Sequence, residues 1–257
     1  MMQRYGPAFA RVYNEYWNGF SLNFAPVIHG WLGEAGPRRL LDLCCGTGQL
    51  CKYFLDAGWQ VTGLDLSLDM LKMAEENNAD YLRSSRFSAI QANAGFFRLD
   101  ASFGVVTSIF DALNHLEGEA ELASCFACVH AVLVEGGRFV FDLNTRRGLR
   151  GWNDLTIRDE DSLFLVNRGM FVEETGKAFL QVTGFSRAAS GAWERFGETM
   201  FNTCFPIERV VGLLKSAGFG SIGFRKADRS FAPVDDPEAE NRVFLVAKKD
   251  RSAMERT

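Results

Sequence analysis

The sequence predicts an α/β fold: a seven-stranded, mostly parallel sheet with an antiparallel last strand, and an inserted antiparallel β cap. Three observations support this prediction. Apolar strand-like segments alternate with amphipathic helix-like segments from residue 38 to residue 144. Short segments rich in β-type residues and separated by glycines follow, up to residue 205. A further helix-like segment and two strand-like segments then complete the pattern.

Five strands are expected in the alternating part of the chain. They are Arg39–Leu43, Gln60–Asp65, Phe87–Gln91, Phe103–Ile109 and Arg138–Leu143. Helices are expected at Gln49–Ala57, after the capping residue Ser67, and at Glu119–Val134. Each helix returns the chain to the same edge of the sheet, so consecutive strands run parallel. Their continuous apolar character indicates that both faces of the sheet are covered.

The alternation ends after Asn144. Glycines at 169, 176 and 191 then separate β-type segments, which predicts an antiparallel inserted sheet. Its strands are expected at Leu163–Asn167, Met170–Glu173, Ala178–Phe185 and Ala192–Cys204. A helix is expected over Pro206–Ala217. The strands Ser221–Ala227 and Arg242–Lys248 are joined directly, which predicts that the last strand is antiparallel.

These elements predict a core that is interrupted by the cap. The core comprises residues 38–154 and 206–250, the cap comprises residues 155–205, and residues 251–257 form a tail. Residues 1–37 are expected to form a helical lid segment, because their aromatic residues recur three or four positions apart. Aromatic residues of the lid segment and cap either cover a shared pocket or belong to the ordinary core. They are Tyr5, Tyr13, Tyr16, Trp17, Trp152, Phe185 and Trp193.

Composition narrows the classes of function. The net charge is −4 with both signs interspersed and no basic block, so we do not expect nucleic acid as a partner. No apolar run is long enough to cross a membrane, and residues 1–16 lack the apolar core of a signal peptide. We therefore expect a cytoplasmic protein whose six cysteines are free, mostly buried thiols and not metal ligands.

A glycine-containing loop leaves the first predicted strand. It runs over Asp42–Gly48, and its two glycines permit close approach of the backbone to a ligand. Asp65 ends the second strand, where a carboxylate can accept two hydrogen bonds from a ribose diol. A nicotinamide-binding domain is the alternative for the fold. It requires a third glycine for the pyrophosphate, and Cys51 stands at that position.

Several segments, in this order, resemble the motifs of class I (Rossmann-like) S-adenosylmethionine-dependent methyltransferases of the small-molecule type. Leu40–Gly48 looks like the first motif of that family, Gly63–Leu71 the second, and Gln91–Ala94 the third, adenine-side motif. Phe103–Ser108 and Leu214–Phe219 resemble later elements of the same fold. The similarity covers about residues 38–144 and 206–248.

The resemblance implies a role for each matching residue. The backbone of Cys44–Gly48 would hold the methionine part of the cofactor, and Asp42 would orient that loop or meet the cofactor's ammonium group. Asp65 would bind both ribose hydroxyls. The full set expected to contact the cofactor is Asp42, Cys44, Cys45, Gly46, Gly48, Asp65, Leu66, Met70, Asn93, Ala94, Phe110 and Tyr13. Leu66 or Met70 would pack on the adenine ring, and Asn93 would accept from its amino group.

Two of these residues depart from the family pattern. Cys44 stands where the family often has its first glycine, and Asn93 stands where an aspartate is common. An amide oxygen can still accept a hydrogen bond, but it carries no negative charge.

Three polar residues follow the fourth strand. Asp111 could approach the methionine ammonium or the methyl acceptor, and Asn114 and His115 could bind or deprotonate an acceptor. We expect His115 to be the general base, although packing at a helix start is an equal alternative. Asn144, at the end of the fifth strand, could orient an acceptor or cap the next turn.

The function expected from the sequence is methyl transfer from S-adenosylmethionine to a nitrogen or oxygen atom of a small molecule, with S-adenosylhomocysteine as the product. A non-catalytic S-adenosylmethionine-binding subunit is one alternative, and an RNA methyltransferase is another. The expected partner is the small-molecule acceptor. We expect no membrane partner, no metal and a monomer or homodimer.

Overall fold

A computed structural model of the chain describes residues 5–33, 37–188 and 190–250. The predicted tail at 251–257 lies outside this range. The helices are α1 (Pro7–Tyr16), α2 (Gly19–Leu32), α3 (Gln49–Asp56), α4 (Leu68–Asn77), α5 (Ala79–Arg83), α6 (Glu119–Val132), α7 (Arg146–Arg150) and α8 (Ile207–Ser216). Short 3-10 helices occur at Ala112–His115 and Pro237–Ala239.

The strands form two separate sheets. They are β1 (Arg39–Leu43), β2 (Gln60–Asp65), β3 (Phe87–Gln91), β4 (Phe103–Ser108), β5 (Leu133–Asn144), β6 (Leu155–Glu160), β7 (Leu163–Val172), β8 (Lys177–Arg187), β9 (Trp193–Thr203), β10 (Phe219–Lys226) and β11 (Arg242–Lys249). Seven of them form the main sheet in the order β10-β11-β5-β4-β1-β2-β3. Strands β6 to β9 form the second sheet.

The main sheet confirms the predicted fold class. Strand β11 runs antiparallel to both neighbours, β5 and β10, whereas all other pairs are parallel. The chain moves outward from β1 in one direction through β2 and β3, and in the other through β4 and β5. Between β1 and β4 lies the switch point, where open α/β sheets bind ligands beyond the carboxyl ends of their strands.

Apolar layers cover both faces of the main sheet. On one face, side chains of α6 and α8 such as Phe126 and Val210 pack against the sheet. On the other face, α2 and α3 bury Ile28 and Phe54. The strands are buried on both sides, so their positions are fixed by packing. The polar ends of β1, β2 and β4 therefore meet at a defined place.

The second sheet follows the predicted position of the cap but differs in its strands. β6 was not predicted, because it is exposed along its whole length and contains only two apolar residues, Leu155 and Ile157. Gly169 does not separate two strands and instead lies within β7. A Cβ atom at this position would overlap the carbonyl oxygen of Trp152, so the glycine permits close backbone packing.

The segment before the main sheet contains two helices where one was expected. Helix α2 belongs to the core, whereas α1 packs between α4 and the second sheet. Phe9 and Val12 of α1 are buried there. The hydroxyls of Tyr16 and Ser162 are 2.8 Å apart, and Gly6 N–H donates to Glu198 at 3.1 Å. Helix α1 therefore bridges the core and the second sheet.

Candidate functional site

A cavity of about 280 Å³ lies at the carboxyl ends of β1, β2, β3 and β4. The loops after these strands form its floor, α1 covers one side, and β8 and β9 contribute a further part of its wall. Tyr13 and Trp17 reach it from α1, and Leu180 and Met200 reach it from the second sheet. The cavity is therefore enclosed by parts of the chain that are far apart in sequence.

The loop after β1 adopts a left-handed backbone at Cys44, Gly46 and Gly48, with φ values of 60°, 54° and 77°. Cys44 and Gly46 line the cavity. A Cβ atom on Gly46 would be 3.4 Å from Cε1 of Tyr13, so the missing side chain keeps this loop open toward α1. The loop thus offers its backbone to a ligand at Cys44 and Gly46.

Two other residues of this loop face away from the cavity. A Cβ atom on Gly48 would lie 3.0 Å from that of Ala74, so this glycine permits packing on α4. The sulfur of Cys45 lies against Gly63 of β2. Neither residue lines the cavity. Both residues help to position the loop, and their expected contact with the cofactor through the backbone stays a prediction.

The carboxylate of Asp65 is held in place by two backbone donors. Gly46 N–H donates to Oδ2 and Ser67 N–H donates to Oδ1, both at 2.9 Å. Burial raises the pKa of Asp65, and these hydrogen bonds oppose the rise. Asp65 also lines the cavity. Because each carboxylate oxygen has a further lone pair, Asp65 can accept from two hydroxyl groups at once.

Asp42 is buried beneath the loop and does not line the cavity. The hydroxyl of Thr107 donates to its Oδ1 at 2.8 Å, and the thiol of Cys51 donates to its Oδ2 at 3.4 Å. Burial raises the pKa of Asp42 to about 7. The sequence left two roles open for Asp42: to orient the loop or to contact the cofactor. Its position beneath the loop fits the first role.

The chain turns sharply after β4. Phe110 and Asp111 are consecutive residues with φ values of 68° and 50°, a conformation that non-glycine residues rarely adopt. Their backbone N–H groups donate to Oδ1 and Oδ2 of Asp142 at 2.6 and 2.9 Å. Arg242 donates to Asp142 at 2.7 Å and to Oδ1 of Asp111 at 2.6 Å. Phe110 and Asp111 both line the cavity.

His115 lines the cavity from the 3-10 helix Ala112–His115. Its Nδ1 lies 2.7 Å from the carbonyl oxygen of Phe201. A carbonyl can only accept, so Nδ1 carries the proton and the lone pair of the neutral ring is on Nε2. Burial lowers the pKa of His115. The ring is therefore neutral at pH 7 and can accept a proton.

Asn114 does not reach the cavity, which corrects the expectation that it binds an acceptor. It is fully buried, and its amide nitrogen donates to the carbonyl oxygens of Asn144 and Thr203 at 3.2 and 2.9 Å. Its amide oxygen accepts from Asn144 N–H at 2.9 Å. Asn144 is also buried and donates to Asn202 at 3.0 Å. Both residues tie the second sheet to the core.

Comparisons with known proteins agree with this fold. Residues 40–137 match the family model described as a methyltransferase domain. YqeM of Bacillus subtilis, a protein named as a methyltransferase, is 28% identical over 95% of this chain and 97% of its own length. An S-adenosylmethionine-dependent methyltransferase of Clostridium acetobutylicum has a similar crystal structure. Its TM-score is 0.82 at 21% identity, over 95% of this chain and 98% of that one.

Over residues 40–137 this chain is similar to methyltransferase domains. The resemblance that the motifs predicted is thus confirmed. An aminosugar N,N-dimethyltransferase of Streptomyces fradiae is 37% identical, but over only 32% of this chain and 30% of its own length. The domain supplies the floor of the cavity, whereas Tyr13, Met200 and Arg242 come from outside it.

Sequence reasoning missed several residues that line the cavity, among them Arg242 and Glu121. Arg242 lies at the start of β11, and it reaches Asp111 because β11 pairs with β5. Glu121, in the first turn of α6, lines the cavity beside Asn93. Acidic residues in a first turn are common for electrostatic reasons alone, so nothing in the sequence distinguished Glu121 from its neighbour Glu119.

The aromatic residues named as lid candidates separate into those that line the cavity and those that do not. Tyr16 belongs to the second group, and its hydroxyl lies 2.8 Å from that of Ser162. Tyr5, Tyr13, Trp17 and Trp152 line the cavity. Phe185 and Trp193, in contrast, are 42% and 49% exposed. Their side chains do not line the cavity, so the expectation that they cover it is wrong. They occupy the opposite face of the second sheet.

Proposed function

We propose that this protein binds S-adenosylmethionine in the cavity and transfers its methyl group to a nitrogen or oxygen atom of a small molecule. The observation that carries the proposal is the arrangement of Asp65 and Gly46 at the switch point of the sheet. A carboxylate fixed by two backbone donors stands beside a loop whose backbone is open to a ligand.

The residues present fit this cofactor. The left-handed Gly46 leaves space in front of the loop for the methionine part, and Asp65 can accept from both ribose hydroxyls. Leu66 and Met70 line the cavity beside Asp65 and give an apolar surface for the adenine ring. Asn93 and Ala94 follow at the end of β3.

The chain's own residues would act on the acceptor. Bound S-adenosylmethionine supplies an electrophilic methyl group. Nε2 of His115 accepts the proton of an acceptor hydroxyl or ammonium, because hydrogen bonding to Phe201 places the ring proton on Nδ1. Arg242 occupies only Oδ1 of Asp111, so Oδ2 can hold a cationic group in the cavity. Tyr13 and Trp17 exclude water from this space.

The size of the cavity favours a small acceptor. Its walls at Trp152, Leu180 and Met200 limit the space beyond His115. Within residues 5–33, 37–188 and 190–250, no helix is long and apolar enough to cross a membrane. The cytoplasmic location, the absence of a nucleic-acid partner and the oligomeric state stay predictions.

Calorimetry with S-adenosylhomocysteine tests cofactor binding. We expect a single site, and we expect Asp65→Asn to weaken binding at least tenfold because one acceptor becomes a donor. Asp69→Asn is the matched control, since Asp69 pairs with Lys72 on the surface of α4. Binding of NAD but not of S-adenosylhomocysteine would contradict the proposal.

Methyl transfer is tested by incubating the protein with a metabolite extract and isotope-labelled S-adenosylmethionine, followed by mass spectrometry. We expect a labelled small molecule to form. Cofactor binding without any labelled product would favour a non-catalytic binding subunit instead. A parallel incubation contains cellular RNA in place of the extract, and labelled RNA as the only product would favour an RNA methyltransferase.

A further inference from the structure

The side chain of Asn93 is oriented by its neighbours. Its Oδ1 accepts from Gly95 N–H at 2.7 Å, which closes a tight turn after β3. Its Nδ2 lies 3.4 Å from Oε1 of Glu121. The amide oxygen of Asn93 therefore points into the turn after β3, and its Nδ2 donor points toward Glu121. This orientation differs from the one expected if Asn93 were the main acceptor for a ligand's amino group.

The carboxylate of Glu121 is fixed beside Asn93. Glu117 N–H donates to its Oε2 at 2.8 Å, which anchors the side chain to the start of α6. Gly95 makes room for it, because a Cβ atom at that position would lie 2.5 Å from Cγ of Glu121. Glu121 lines the cavity together with Asn93 and Ala94. A negative charge is thus held at the adenine-side end of the cavity.

Adenine presents two adjacent polar groups at one edge: an amino group that donates and a ring nitrogen that accepts. The paired side chains offer the complementary set. Glu121 supplies carboxylate lone pairs, and the Asn93 amide supplies a donor. A purine with a carbonyl in place of the amino group reverses both polarities, so its oxygen would face the Glu121 carboxylate.

We propose that Glu121, and not Asn93, accepts the hydrogen bond from the adenine amino group and makes the site select adenine over 6-oxopurine. This inference rests on the proposed cofactor site. It also explains how the chain tolerates an uncharged residue at position 93. The negative charge that the family has at the end of β3 is supplied here from the first turn of α6.

The test compares S-adenosylhomocysteine with S-inosylhomocysteine, in which a carbonyl replaces the amino group. Calorimetry gives the ratio of their two Kd values for the wild-type protein, for Glu121→Gln and for Glu119→Gln. Glutamine can still accept from Glu117 N–H, and its amide can also donate to a carbonyl. Glu119 is the matched control, because it lies in the same first turn of α6 but pairs with Arg209 at the surface.

We expect the wild-type protein to prefer the adenosyl ligand, and the ratio to fall at least tenfold in Glu121→Gln while Glu119→Gln keeps it. Asn93→Ala should lower the ratio less than Glu121→Gln does. An unchanged ratio in Glu121→Gln, or a larger loss in Asn93→Ala, overturns the role of Glu121 but leaves the proposed function intact. If the folded wild-type protein binds neither ligand, the proposed function fails and the inference fails with it.

Discussion

The carboxylate of Asp142 accepts a hydrogen bond from the backbone N–H of Asp111 at 2.9 Å. This contact joins the end of β5 to the turn after β4, where two consecutive residues adopt a left-handed backbone. Arg242 forms ion pairs with the carboxylates of Asp111 and Asp142. Its guanidinium lies 4.7 Å from the ring centroid of Phe20 and 5.4 Å from that of Phe110. The unusual backbone is thus stabilised by groups from two strands, β5 and β11, and from α2.

Replacing Asp142 with asparagine tests how much this turn depends on the carboxylate. One of the two backbone N–H groups would face an amide donor, and Arg242 would lose a buried partner. We expect the free energy of unfolding to fall by about 3 kcal/mol, as is typical when one partner of a buried ion pair is removed. Urea unfolding of the two proteins measures it.

The control for Asp142→Asn is Glu173→Gln. Glu173 pairs with Arg146 and Arg150 at the surface, with 46% of its side chain exposed. Surface ion pairs contribute about 0–1 kcal/mol, so this variant should unfold close to the wild type. Equal destabilisation by both variants would show that Asp142 has no special role in the turn.

Asp42 makes stability depend on pH. Its pKa rises to about 7 in the folded protein because the side chain is buried. The pKa is about 3.9 in an unfolded chain, so the folded state binds more protons between these values. The contribution of Asp42 to stability is complete below pH 4 and is lost as pH rises through 7. Removing the ionisable group should remove this loss.

We therefore expect the stability of the wild type, relative to that of Asp42→Asn, to fall between pH 4 and pH 7. Chemical unfolding at several pH values gives this difference. The stability of the wild type relative to that of Glu119→Gln should not fall over this range, because hydrogen bonding to Arg209 lowers the pKa of Glu119. A flat difference for Asp42→Asn across the range would mean that Asp42 ionises normally in the folded protein.

The proposed role of His115 predicts a selective effect on turnover. General bases contribute about 10²- to 10⁴-fold to a rate, so His115→Ala should lower kcat by roughly that factor. The Kd for S-adenosylhomocysteine should stay within about twofold, since His115 stands on the acceptor side. His130→Gln is the control, because His130 packs on Phe219 away from the cavity.

The pH dependence of turnover checks the same assignment. Burial lowers the pKa of His115, so its Nε2 is unprotonated at neutral pH. We expect kcat to be constant above that pH and to decline as pH falls through the lowered pKa. An unaltered kcat in His115→Ala would assign the proton transfer elsewhere. The histidine would then have only the packing role that the sequence also allowed.

Some parts of the structure were easier to predict from the sequence than others, because they leave a clearer pattern of apolar residues. Strands buried on both faces, such as β1 and β4, are continuous apolar runs, and their bounds agree within a residue. β6 was missed because this exposed edge strand contains only two apolar residues, too few to mark a strand. His115 and Asn114 are adjacent in one 3-10 helix, and only its rotation decides which of them faces the cavity.

Contacts between distant segments were the least predictable. Arg242 lies 131 positions beyond Asp111, and their contact follows from strand pairing that no local pattern reports. Asn14 of α1 is a second example. Its amide oxygen accepts from Gln49 and Asn77 at 2.6 and 2.7 Å, which fastens α1 over the loop after β1.

The second sheet is proposed to select the acceptor through its inner face only. Leu180 and Met200 line the cavity there, whereas Met170 points to the outer face and is 51% exposed. We expect Met200→Ala to change KM for the acceptor severalfold, because it removes about three heavy atoms of apolar contact from that wall. Met170→Ala makes the same chemical change on the outer face and should leave KM unaltered.

The Kd for S-adenosylhomocysteine distinguishes an acceptor effect from a general loss of structure. It should be the same in the wild type, Met200→Ala and Met170→Ala, because neither methionine reaches the loops that hold Asp65 and Gly46. A parallel loss of cofactor affinity and acceptor affinity in Met200→Ala would mean that the second sheet supports the whole site. Its inner face would then not be a specificity element. Equal effects of the two substitutions on KM would exclude the inner face as the acceptor wall altogether.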